Sequence, residues 1–259
     1  MPARYLSVAG ALRHVAGWRP DMPDHRDLAA GVPPSLVAPA SASLRGSAPA
    51  VRDQGGIGSC VANSVVEAAG FLYLRAGRPD VQLSRLFLYA TARERAGVPL
   101  TEDSGCQIRD AIKAFAASGA CLESTMPYDE GAFSAPPTSA ARAEALDHKA
   151  LFYYRCAGRR TLCASIAQGF PVVFGFSVPE NMLSAECSQT GVVSYPAATE
   201  GFEGGHAVLA VGYDDASRLV CFQNSWGAGW GDGGFGYLPY KFFDDSLVDD
   251  CWTLRKETF

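Results

Sequence analysis

Four side chains in this sequence are of the types that acyl transfer to a nucleophile requires. The first two share a block, QGGIGSC, residues 54 to 60: Gln54 opens a glycine-rich loop, and Cys60 closes it against the apolar run VANSVVEAAGFLYL. A cysteine placed there stands at a helix N-terminus. Unpaired backbone N–H groups carry partial positive charge at that end and favour the thiolate, the nucleophilic form of cysteine. A thiol nucleophile also needs a base, and a group to orient the base. His206 is the candidate base. It begins HAVLAVGYDD directly after two glycines, whereas His14 and His25 lie in a Pro-rich stretch and His148 in a polar one. Asn224, within FQNSWGAGWGDGGFGY, can accept the imidazole N–H and hold the ring toward the sulfur, with Trp226 as a roof over that bond. The Gln54 amide, together with the Cys60 backbone N–H, can hold the oxyanion formed when a thiolate attacks a carbonyl. Taken singly, each residue has an ordinary packing or turn explanation. Their order and local contexts together point to chemistry.

The elements that must position these groups differ between the two halves of the chain. After Cys60, residues Val61, Val65, Ala68, Ala69 and Leu72 form one helical stripe, and Val66, Phe71, Tyr73 and Leu74 make the other faces apolar too. The expectation is a helix buried in the middle of a domain, stopped by Arg75, Gly77 and Pro79. Ser84 can cap a second helix, RLFLYATARERA, and a third is expected from Ile108 to Ser118, ended by Gly119. From about residue 150 the pattern reads as strands: LFYYRC, PVVFGFSV, HAVLAVGYDD, RLVCFQNS, GFGYLPY and CWTLRK, with one helix around LCASIAQG. Residues 1 to 50 hold 7 of the 16 prolines, too many for helices or central strands. That stretch is expected to lie extended on the body through Trp18, Leu28, Val32 and Leu36.

Composition narrows the function. A chain of 259 residues with 48% apolar and 19% charged residues is a globular protein able to bury a large core. A net charge of -5 argues against a nucleic-acid partner, because phosphate binding needs a basic face. No apolar run approaches the roughly 18 residues of a membrane helix, and Arg13 and His14 interrupt the start, so neither a membrane span nor a signal peptide is expected. The expected location is cytoplasmic, or outside the cell by a non-classical route. The eight cysteines form no CxxC pair and the four histidines are scattered, which argues against a metal site; no cofactor is expected. GDGGFG, residues 231 to 236, satisfies G-x-G-x-x-G but has no helix after it, so it is not read as a dinucleotide loop. The acidic pairs Asp214–Asp215, Asp244–Asp245 and Asp249–Asp250 are read as surface turns.

The blocks around these residues resemble those of the papain-family cysteine peptidases. VRDQGGIGSCVANS is similar to the family's block around its nucleophile and LSRLFLYA to the start of its second helix. GGHAVLAVGYDD is similar to its histidine block and FQNSWGAGWGDGGFGYLP to its asparagine block. His206 lies 146 positions after Cys60 and Asn224 another 18 beyond; the family's spacing is about 130–150, so small insertions are implied. The resemblance spans about residues 50 to 255. It implies an α+β, two-lobed fold with a helical N-terminal lobe (about 50–148) and a β-barrel-like C-terminal lobe (about 149–259). The Pro-rich extension over 1–49 lies outside the resemblance and is read as a segment that can lie across the cleft. It also implies Cys60 as nucleophile, His206 as base, Asn224 as orienter and Gln54 in the oxyanion hole, with a peptide or protein as substrate. Two other functions use the same fold: another thiol acyl transferase (ligase, deamidase or transglutaminase-like) and a non-catalytic binding module. Three departures stand out. Ile57 occupies the place of a usual disulfide cysteine, Val61 that of a tryptophan, and SGCQIRDA replaces the Gly-Gly segment of the substrate wall. They suggest a divergent bacterial-type branch.

Overall fold

The structure is a computed structural model that describes residues 5–8, 11–14, 17–33, 36–79, 81–149 and 152–255. Pro34, Met1 and the other remaining residues of the N-terminal extension lie outside the described residues. Two short strands, β1 (Tyr5–Val8) and β2 (Ala11–His14), pair antiparallel as a separate hairpin. A third, β3 (Ser41–Ser43), adds to the main sheet. Strands this short, one at an edge, are what a proline-rich stretch tolerates.

Three helices follow. In α1 (Cys60–Arg75) every residue from Cys60 to Tyr73 is buried, as its apolar faces predict. Helix α2 (Arg85–Arg95) starts as expected at Ser84, whose side chain accepts the Phe87 N–H at 3.1 Å. Helix α3 (Ile108–Ser118) buries Ile108, Ala111, Ile112, Ala114 and Phe115. Three short helices escaped the sequence reading: α4 (Ser139–Ala145), capped by Thr138, and, further on, α6 (Ala185–Thr190), capped by Ser184, and α7 (Lys241–Asp244). At four to seven residues they are too short to show an apolar period.

The second half supplies β4 (Phe152–Arg155), α5 (Gly158–Ala167), β5 (Val172–Pro179), β6 (Phe202–Asp214), β7 (Leu219–Gln223), β8 (Phe235–Pro239), the turn of helix α7 (Lys241–Asp244) and β9 (Val248–Arg255). They form one antiparallel sheet in the order β4-β9-β5-β6-β7-β8, with β3 on β6. The path is open: β4 and β8 do not pair with each other, so the β-barrel-like lobe is corrected to a sheet. Its two faces sort by strand alternation. Val173, Ala207, Leu209 and Val211 pack into the core of α1–α3, while Val172, Phe174, Phe176, Val208 and Ala210 pack with Leu162 and Ile166 of α5. The sheet therefore has helices on both sides, and α1 lies against β6.

Candidate active site

Cys60 is the first residue of α1, and its side chain is wholly buried. The backbone N–H groups of Ala207 and Val61 point at its sulfur and favour a thiolate, as a helix terminus should. Burial outweighs them: the Cys60 thiol is pushed up to about 12. The expectation of a lowered thiol pKa is therefore corrected for this closed arrangement. The reason lies on top of the sulfur. A Cβ added at Gly17 would sit 2.8 Å from Sγ and 2.9 Å from the Gly58 carbonyl, so only glycine lets residue 17 come this close.

The residues after Gly17 run between the two walls. Trp18 donates its N–H to the Gly205 carbonyl (3.2 Å). Cys106 donates its N–H to the Gly17 carbonyl (3.0 Å) and accepts the Arg19 N–H (3.1 Å). Of the expected apolar anchors of this segment, Trp18 is buried but Leu28 is 62% exposed. Carboxylates do more of the anchoring. Asp21 accepts the Trp252 indole N–H and the Arg109 backbone N–H, and Asp27 forms a buried ion pair with Arg109 at 2.5 Å.

His206, in β6, is wholly buried, and its Nε2 lies 2.8 Å from Asn224 Oδ1. The Trp226 ring lies 4.9 Å from the imidazole at an interplanar angle of 32°. Asn224 Oδ1 also accepts the Ser225 N–H at 2.8 Å, and Asn224 donates its own N–H to Gly234. Two donors thus hold Asn224 Oδ1, and the backbone beneath it is tied to Gly234. The contact between His206 and Asn224 follows from the ladder: β6 and β7 pair Leu209 with Gln223, so the register carried one step further puts the residue after β7 opposite Val208, two residues from His206.

Gln54 is wholly buried. Its Oε1 accepts the Ser225 hydroxyl at 2.6 Å, its Nε2 donates to the Ile57 carbonyl at 2.9 Å, and its backbone N–H donates to Ser225. Ser225 thus joins the nucleophile loop to the asparagine loop. It was legible only as a neighbour of Asn224.

The sequence reading missed the polar groups that hold residues 52–60. Gly58 donates its N–H to both Asp103 oxygens at 3.0 and 3.1 Å, and Tyr89 donates to the same carboxylate at 2.6 Å. This clamp grips the residue next to Ile57, where the family usually has its disulfide cysteine. Gly56 donates to Glu130 at 2.6 Å. Tyr128 donates to the Gln54 carbonyl and shares a 2.6 Å hydrogen bond with Ser59, while Arg85 stacks on its ring and donates to the Asp53 carbonyl and Asn63. Glu123 pairs with both Arg85 and Arg52. Nothing in the spacing of these residues marks them, since each acts through a fold contact 14 to 74 positions away.

Comparison with known proteins gives the family of the chain. The profile of the papain family cysteine proteases matches residues 38–243. The chain belongs to the papain family of cysteine peptidases. An uncharacterized peptidase C1-like protein of Acanthamoeba polyphaga mimivirus is 36% identical over 217 residues, covering 80% of this chain and 70% of the viral protein. A cathepsin B-like protein of Giardia intestinalis is 30% identical over 198 residues, 72% of this chain and 63% of the relative. The solved structure of xylellain, a cysteine protease from Xylella fastidiosa, superposes over the whole of both chains with a TM-score of 0.87 at 32% identity. This peptidase is therefore a thiol hydrolase, and protein or peptide chains are its class of substrate. Among the described residues no helix is long and apolar enough to cross a membrane.

Proposed function

We propose that this peptidase cleaves peptide bonds through a thioester on Cys60, with His206 as base, Asn224 as its orienter and Gln54 in the oxyanion hole. The observation that carries this reading is the 2.8 Å contact between His206 Nε2 and Asn224 Oδ1, on the strand whose next residue, Ala207, directs its N–H at the Cys60 sulfur. With Nε2 engaged by Asn224, Nδ1 is the nitrogen that takes the thiol proton. The thiolate attacks the substrate carbonyl carbon. The resulting oxyanion is held by the Cys60 backbone N–H and by Gln54, whose amide is already oriented by Ser225 and Ile57. Collapse expels the amine, which takes the proton from His206. Water, deprotonated by His206, then attacks the thioester carbonyl and frees the acid and the thiol. Trp226 keeps solvent off the His206–Asn224 bond.

The N-terminal extension, residues 1–49 of the chain, acts in this reading as an intrinsic plug on the peptidase domain that follows it. Gly17 covers the sulfur, and its carbonyl accepts from Cys106. That carbonyl is thereby engaged with the wall instead of the oxyanion groups. The experiment uses the full chain and its Gly17→Val variant, treated with iodoacetamide at pH 6 and with a peptide substrate. Valine would collide with Sγ and the Gly58 carbonyl and lift the plug. Selective Cys60 labelling and higher turnover in the variant, both lost when His206→Ala is added, are expected. Equal slow labelling of several cysteines would overturn the role of Cys60, and unchanged turnover in a folded Gly17→Val chain would overturn the plug.

A further inference from the structure

All eight cysteines of the chain are free thiols, and one pair of them is placed by backbone register. Strand β4 runs antiparallel to β9 with Arg155 opposite Trp252, so one further step sets Cys156 opposite Cys251. The ladder continues through that step, because Cys156 donates its N–H to the Cys251 carbonyl at 2.8 Å. Hydrogen-bonded residues opposed in this way have Cα atoms about 5.5 Å apart. A disulfide spans about 4.4–6.8 Å between Cα atoms. Opposed residues also share a face of the sheet. Trp252 and Leu254 pack toward α1–α3, whereas Cys156 and Cys251 both pack on the α5 side, 3% and 4% exposed. Other thiols are occupied differently: Cys163 faces Tyr240, Cys221 faces Arg45, and Gly17 lies between the Cys60 sulfur and the Cys106 N–H.

The pair sits at the seam that receives the N-terminal extension. Arg155, just before Cys156, donates its N–H to the Leu28 carbonyl (2.7 Å) and accepts the Ala30 N–H (2.8 Å). Asp250, just before Cys251, accepts the Trp18 indole N–H at 3.2 Å and the Asp21 backbone N–H at 2.6 Å. Arg155 and Asp250 are themselves joined at 3.2 Å. Strand β4 ends the sheet: β9 pairs with it, and the extension meets its outer edge at one bridge, Ala29 to Arg155. A short edge strand of this kind opens locally at low free energy. Burial pushes the Cys156 thiol up to about 12 and the Cys251 thiol well above its ordinary value. Neither is a ready nucleophile in the packed strand, so exchange runs through opening of the β4 edge.

We infer that Cys156 and Cys251 are a reversible dithiol–disulfide site, whose oxidised form pins β4 to β9 and holds the extension on that seam. The oxidant is a small-molecule disulfide of the glutathione type. When the edge opens, one cysteine thiolate attacks that disulfide, forms a mixed disulfide and releases one glutathione thiolate. The other cysteine thiolate then attacks the protein sulfur of the mixed disulfide and displaces the second glutathione. The two cysteine protons end on the two released glutathione thiolates. The protein loses two electrons as its S–S bond forms, and the glutathione disulfide gains them as its own bond breaks. Reduced glutathione in excess runs the same steps backwards. The bond itself is independent of the catalytic reading above; only its consequence for closure of the cleft rests on the plug.

The reduced full chain is equilibrated in glutathione buffers of increasing oxidised fraction, quenched in acid, alkylated after unfolding and mapped by mass spectrometry. A link between Cys156 and Cys251 is expected ahead of any other, with a loss of two hydrogens from the intact mass. Tm should rise by at least about 5 °C on oxidation. Cys251→Ala should show neither change, and the mapping of the parent chain stands without that variant. Both thiols still alkylated in the most oxidising buffer, or either one linked to a different cysteine, would overturn the site. Hydrogen exchange in peptides covering residues 19–33 then compares the oxidised and reduced chains. The Asp21 and Ala30 amides should exchange at least about ten-fold more slowly when the bond is formed. An unchanged Tm or equal exchange would overturn the pinning. Neither readout uses Cys60 or a substrate, so failure of the nucleophile or plug assignment leaves this result standing.

Discussion

The two walls of the cleft hold their chemical groups by different means. On the sheet side, backbone register places His206 beside Asn224: β6 is paired along its length with β5 and β7, and the side chains inherit their positions from the ladder. On the helical side, the loop from Arg52 to Ser59 has one isolated bridge, Asp53 opposite Trp226, in place of a ladder. Side chains from Asp103, Tyr128, Glu130 and Arg85 grip its backbone groups one by one. A ladder is cooperative and insensitive to any one side chain. A loop held by single side-chain bonds fails locally when one is removed, each being worth about 1–3 kcal/mol where a charge takes part. The nucleophile side is accordingly the one a point substitution, or a change of pH, can loosen.

The largest expected effect breaks the sheet side at its chemical group. His206→Ala should lower kcat/KM for a peptide by roughly 10³-fold or more with the fold intact, since a thiol without its base is a poor nucleophile. Steady-state kinetics beside a circular dichroism melt checks this; residual activity within ten-fold of the parent would remove His206 from the mechanism. Next comes the plug. Lifting it with Gly17→Val re-exposes a sulfur whose thiol burial pushes up to about 12, so thiolate is more available at neutral pH. Iodoacetamide labelling of Cys60 at pH 7 should accelerate by at least about ten-fold, as followed by mass spectrometry.

On the helical side, Asp103→Ala frees the Gly58 N–H and should lower kcat about ten-fold with little change in KM, because the loop that carries the oxyanion groups loses its hold. Asp103→Asn, which keeps one acceptor, should recover part of the loss. A KM rise with unchanged kcat would assign Asp103 to substrate binding instead. The smallest effect on activity concerns Glu67, buried in α1, whose carboxyl oxygens find no hydrogen-bond partner among the described residues. Burial pushes its carboxyl up to about 8, against the attraction of Arg52 and Arg85. Between its usual value of 4.5 and about 8, the folded state holds a proton that the unfolded state releases, so stability falls as pH rises through that window. Glu67→Gln should remove that slope, leaving the variant on the order of 2–4 kcal/mol less pH-sensitive between pH 5 and 8.5 in urea unfolding. Parallel curves for the two chains would remove Glu67 as the cause.

Much of the helical half was legible because its signals are local. The apolar faces of α1, the Ser84 cap and the Gly119 stop each act within a few residues. The open sheet was not legible as open, because strand patterns carry no record of whether the first and last strands meet. Leu28 shows a similar limit. As an apolar residue in an extended segment it was expected to anchor, yet Asp21, Asp27 and Arg109 hold that segment and leave it exposed. Hydrophobicity ranks what a residue prefers; it does not say which polar partner the fold will bring.

From residue types and spacing alone came the cast of the site: a cysteine opening a buried helix, a histidine opening a strand, an asparagine before Ser-Trp-Gly, and a glutamine upstream. Those are properties of short blocks, and short blocks survive being read one at a time. Tertiary structure alone decided the state of the site. The sulfur lies under Gly17, the indole of Trp18 sits between two glycines against Asp250, and Asp103 stands beside the position of the missing disulfide cysteine. Each of those depends on groups 43 to 232 positions apart being packed out of water, where desolvation reverses what a helix terminus does to a thiol.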